Sequence, residues 1–142
     1  MRVLICTLVA LMAMIASMAV AGDAVQPAKF PTDDALRAHM AAIRKVTLDN
    51  HTLVTHRRMP VAEARRFADI VMREAREVKA NGTFSVEAKA EIEVLLGEIV
   101  TGAEAVAGRG GDASAIDGIV RIDAALVRYG ERFEDPTWRP LR

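Results

Sequence analysis

Cysteine is almost absent from this 142-residue sequence, Cys6 being the only one. A lone thiol cannot make an internal disulfide, a cysteine zinc or iron–sulfur site, or a covalent c-type haem attachment, each of which needs at least two thiols in the chain. A charge excess is missing too. Lys and Arg number 19 and Asp and Glu number 19, so the basic surplus that a phosphate-tracking surface requires is not there and no nucleic-acid partner is expected. Aromatic residues make up 4 % of the chain, too little bulk to fill a wide interior. No stretch alternates apolar and polar residues as a strand does. Signatures of catalysis are also lacking: no Ser–His–Asp order with a local motif, and no repeated Glu-x-x-His of a di-iron bundle. Gly108-Arg-Gly-Gly-Asp112 lacks the Lys-Ser/Thr and the preceding strand of a phosphate loop, and reads as an inter-helix turn. The expectation is a single domain that is not an enzyme.

The first 21 residues stand apart from the rest. Arg2 gives a positive start, Val3 to Val20 is apolar except for Thr7 and Ser17, and Ala19-Val20-Ala21 before Gly22 has the small-x-small form of a cleavage site. Residues 1–21 read as a signal peptide, residues 22–31 as a flexible leader, 32–134 as the folded domain and 135–142 as a C-terminal tail. An uncleaved membrane anchor is the alternative, since the apolar run approaches the roughly 20 residues that span a bilayer. With cleavage, the chain is exported to a periplasmic or secreted location and has no membrane contact. It also loses Cys6 and stays close to neutral.

Four helical patterns follow. Thr32 can cap the first, with Asp33 and Asp34 in the first turn where negative charge is favoured. Leu36, Met40, Ile43, Thr47, Asn50 and Val54 recur at steps of four and three, a seam with a polar middle. Pro60 should stop this helix near Arg58 and open the next. The second seam is Val61, Ala64, Ala68, Val71, Ala75 and Val78, widened by Phe67 and Ile70, and Asn81-Gly82 predicts a left-handed closing turn. Ser85 can cap a third helix with Ala88, Ile92, Leu95, Ile99, Gly102 and Val106. Asp112 or Ser114 can open a fourth with Ala115, Ile119, Ile122, Leu126, Tyr129 and Phe133. Short connections between such helices predict an all-α, antiparallel up-down-up-down four-helix bundle.

Three segments carry a resemblance. Leu36-Arg-Ala-His-Met40 lies near the start of the first helix, Val94-Leu-Leu-Gly-Glu-Ile99 in the third, and Tyr129-Gly-Glu-Arg-Phe133 in the last. With the bundle and the signal peptide, these make residues 33 to 133 similar to the exported four-helix cytochromes, the b-type cytochrome b562 and the c-type cytochromes c′. The resemblance implies haem at the bundle end, ligated in the b-type proteins by a Met of the first helix and a His of the last, and it implies a homodimer through the first two helices in the c′ relatives. Met40 matches the first ligand. Gly130 stands where the His would be, and no Cys-x-x-Cys-His falls across Leu126 to Gly130.

The remaining candidate sites are few. Met40 and His39 are the residues that atypical haem ligation would use. His51 and His56 are five residues apart and diverge, whereas His56 and Met59 have a helical spacing that suits a soft cation such as Cu(I). Haem b or a copper-type ion are the cofactors these residues admit, and no cofactor is the leading expectation. Thr47 and Asn50, polar where Leu would pack best, are candidates for lining a small-ligand pocket. Arg65 and Arg66 belong to a basic run on the second helix and are candidates for an acidic partner surface. The function expected is an exported binding protein, without conventional haem ligation, for a metal, a small ligand or a partner protein. An atypical electron-transfer cytochrome and a chaperone-like interaction protein are the alternatives.

Overall fold

The computed structural model describes residues 27–141, so the segment read as a signal peptide lies outside the described residues. Four helices form, α1 (Asp34–Thr55), α2 (Val61–Asn81), α3 (Val86–Val106) and α4 (Ala115–Arg132). Consecutive helices pack antiparallel and α1 closes on α4, which is the up-down-up-down bundle expected from the short connections. None of these helices is long and apolar enough to cross a membrane.

The caps explain where the helices begin. Asp33, not Thr32, caps α1: its carboxylate accepts from Leu36 N at 2.7 Å and from Thr83 N at 3.1 Å in the α2–α3 turn. Those backbone donors hold the Asp33 carboxyl below its ordinary value. Ser85 caps α3, and Ser114 with Asp117 forms a reciprocal capping box on α4. The endings differ from expectation in two places. α1 stops at Thr55, short of Arg58, because Arg57 turns left-handed at φ 56° and Arg58 N reaches back to Leu53 O. Gly82 is extended at φ −72°, so it makes no left-handed turn. Its lack of a side chain is needed for another reason, since a Cβ there would lie 2.1 Å from the Phe84 ring.

The seams meet in one core. Leu36, Met40, Ile43 and Val54 of α1, Phe67, Val71 and Val78 of α2, Ile92, Leu95, Leu96 and Ile99 of α3, and Ile119, Ile122, Leu126 and Tyr129 of α4 are buried. Val61 is a correction: it opens α2 beyond the partner helices and is 65 % exposed. α3 and α4 come into close contact at Gly102 and Gly118, where a Cβ on either residue would meet the other's carbonyl oxygen at 2.6 or 2.5 Å. On the outside of this pair, Arg128 donates to Glu91 at 2.8 Å and Arg121 to Glu98 at 2.6 Å.

One end of the bundle is strapped shut. Phe30–Pro31 pairs in parallel with Phe133–Glu134, so the last residues of the expected flexible leader are held in place. Phe30 packs on Phe133 with ring centroids 5.5 Å apart, and Phe133 stacks on Tyr129 at 5.2 Å. The C-terminal tail turns at Asp135 and lays Trp138 edge-on against Tyr129 at 4.6 Å. Arg44 on α1 pins the tail by donating to Arg139 O at 2.7 Å.

Candidate functional site

Met40 and His39 are adjacent in sequence but face different sides of α1. Met40 is completely buried among core residues. His39 turns outward to α2, where its Nδ1 lies 2.8 Å from Glu74 Oε2, and the other Glu74 oxygen accepts from Arg73 at 2.9 Å. The hydrogen bond from His39 holds the Glu74 carboxyl below its ordinary value. Gly130, where the cytochrome resemblance would put the second ligand, is covered. A Cβ there would lie 2.6 Å from the Trp138 indole, and Lys29 Nζ donates to the Gly130 carbonyl at 2.7 Å. Conventional Met–His ligation of haem therefore does not fit: one ligand position has no side chain and an indole occupies the space above it.

His56 and Met59 are not brought onto one helical face. The helix ends before His56, the left-handed Arg57 lies between them, and His56 Nδ1 is 2.9 Å from Thr52 O. Among the described residues there is no cluster of three or more His, Cys, Asp or Glu side chains arranged for a metal ion. Thr47 is fully buried and its hydroxyl donates to Ile43 O at 2.8 Å, so it is satisfied within α1.

Asn50 behaves differently. It is half-buried at the edge of the seam, with Nδ2 donating to Val46 O at 2.8 Å, and it opens onto a groove between α1 and α2. The groove has a volume of about 180 Å³ and is lined by Val46, Asn50, Glu63, Arg66, Phe67 and Ile70. Glu63 and Arg66 are three residues apart on α2, hence on one face. Neither has an ion-pair partner within 4.0 Å among the described residues. An apolar floor of Val46, Phe67 and Ile70 thus carries a free carboxylate, a free guanidinium and an amide. Arg65 does not join them. It falls on the opposite flank of α2, in helical register with Met72, Arg76 and Lys79 at steps of seven, four and three.

Comparison with known proteins decides nothing further. No family model, curated protein or solved structure matches the chain.

Two features of this arrangement were not singled out in the sequence. The first is Glu63, whose place as the acidic wall of the groove follows only from the spacing 63–66–70 facing 46–50 across α1 and α2. The second is His51, whose Nε2 lies 3.0 Å from Asp123 Oδ2 on α4. Burial pushes the Asp123 carboxyl above its ordinary value, against the pull of His51. Nothing local to His51 signals this pairing, since Asp123 lies 72 residues on.

Proposed function

We propose that this chain is an exported, non-enzymatic four-helix-bundle binding protein, of cytochrome c/b562-like type, that docks a partner protein along the α1–α2 groove. The observation that carries this reading is the placement of unpaired Glu63 and Arg66 beside Asn50 over an apolar floor. Charges of both signs favour a protein surface, which presents backbone amides and side chains of both signs together, over a metal ion or a simple anion. Arg66 is the group that takes an acidic side chain, in the planar two-donor geometry that guanidinium offers a carboxylate. Glu63 takes a donor one helical turn away, and the floor receives an apolar side chain between them. Haem plays no part in this reading, because the Gly130 position is closed by Trp138.

The test is a photo-crosslinking side chain placed at position 50 in the chain expressed with its own leader in its native host. A discrete crosslinked partner is expected from position 50 and not from position 93 on α3. Arg66→Glu should abolish it, and raised salt should weaken it. Failure to crosslink from position 50, or crosslinking that ignores Arg66→Glu, contradicts the reading.

A further inference from the structure

The opposite flank of α2 has a different chemistry. Met72, Ala75 and Val100 line a second groove, between α2 and α3, of about 220 Å³, and the polar groups at its edge are Arg76 and Lys79. Both cations are exposed, three residues apart on one face, and neither has an ion-pair partner within 4.0 Å among the described residues. No acid lines the groove, and the nearby ones of α2 and α3 are held elsewhere or stand outside that lining: Asp69 lies 4.0 Å from Arg109, Glu104 bonds Arg109 at 2.6 Å, Glu77 accepts from Asn81 at 2.8 Å, and Glu93 is exposed. The mixed charges of the α1–α2 groove are absent here. An apolar trough ending in two cations complements a molecule that is apolar along its length and anionic at one end.

We propose that the α2–α3 groove binds a single-chain carboxylate amphiphile, its alkyl chain lying between Met72 and Val100 and its head group between Arg76 and Lys79. Size and shape select one chain of medium length. A trough of about 220 Å³ walled by Met72, Ala75 and Val100 takes one alkyl chain and not the two of a phospholipid. Met72 suits the wall because an unbranched thioether adapts to a flexible alkyl chain. The head group is fixed by charge, the guanidinium of Arg76 offering paired donors and Lys79 a point charge one turn on.

Decanoate, below its micelle concentration, is the probe, added to the protein purified after expression with its own leader while amide chemical shifts are followed by NMR. Shifts centred on Met72, Ala75 and Val100 are expected, with saturable binding. Decan-1-ol, which keeps the chain and lacks the charge, should bind at least tenfold more weakly. The pair Arg76→Gln with Lys79→Gln should weaken decanoate at least tenfold, and Val100→Glu should do so while leaving the thermal midpoint near that of the wild type, since residue 100 is only half-buried. Removing two positive charges at Arg57 and Arg58 controls for net charge and should change nothing. The proposal is overturned if decanoate causes no localised shifts, if decanol binds equally well, if the Arg57 and Arg58 control weakens binding as much, or if only anionic phospholipid vesicles bind.

Discussion

Trp138 of the C-terminal tail lies directly on Gly130 of α4, so close that a single methyl group at position 130 would sit 2.6 Å from the indole. The glycine and the tryptophan are thus one feature of the bundle end, and each explains the other. Gly130→Ala should lift the tail and cost about 1–3 kcal/mol, the range for forcing a carbon into a packed site. The fluorescence of Trp138, the only tryptophan in the chain, reads this directly: a red shift is expected, and an unchanged emission maximum with an unchanged melting temperature contradicts the packing.

A second prediction sets two helical glycines against each other. Gly102 has no room for a Cβ against Gly118, whereas Gly97 has nothing within 4 Å. Gly102→Ala should destabilise by about 1–3 kcal/mol through overpacking. Gly97→Ala should stabilise by about 0.5–1 kcal/mol, because alanine loses less backbone freedom in a helix. Chemical denaturation of both variants checks the sign of each.

The pair His51 and Asp123 ties α1 to α4, and among the described residues Asp123 Oδ1 is buried with no hydrogen-bond partner. Because burial raises the Asp123 pKa, the folded chain binds its proton more tightly than the unfolded chain does. Stability from this group is therefore present below the ordinary carboxylate value and falls as pH rises through the raised one. Asp123→Asn should compare more favourably with wild type at pH 7 than at pH 4, as read by thermal denaturation. His51→Ala should cost about 1 kcal/mol at pH 7, where it leaves a half-buried carboxylate without its partner, and less at pH 4.

Glu74 predicts the reverse. Its pKa is lowered, by the His39 hydrogen bond first, so its stabilisation is present above the ordinary value and is lost as pH falls through the lowered one. The loss of melting temperature from Glu74→Gln should be larger at pH 7 than at pH 3. Equal losses at the two pH values contradict the sign.

The bundle was legible because its information is local. Steps of three and four, Ser85 and Ser114 as caps, and Pro60 between two seams each act within a few residues, and the helices and most of the core follow from them. What was illegible depends on residues far apart in the chain. Phe30 meets Phe133, Trp138 meets Gly130, and Asp33 reaches Thr83 N, and nothing local in the leader or the tail signals these contacts. The candidate sites divide in the same way. Asn50 and Arg66 could be singled out as odd residues on their own helices, but that they share one groove, and that Arg65 lies on the other flank of α2, is a consequence of how α2 is rotated between α1 and α3. Thr47 looked like Asn50 in sequence, and both donate to the carbonyl four residues back, but Thr47 is fully buried and Asn50 only half-buried.

The central claim is that Trp138 closes the bundle end that the cytochrome resemblance would give to haem, leaving the flanks of α2 to bind. The most direct measurement is the absorbance spectrum of the protein expressed with its own leader in a haem-competent host, followed by haem titration of the purified chain. The account predicts no stoichiometric Soret band, no spectral change on titration and no thermal stabilisation. A stoichiometric Soret band with methionine–histidine ligation would contradict it.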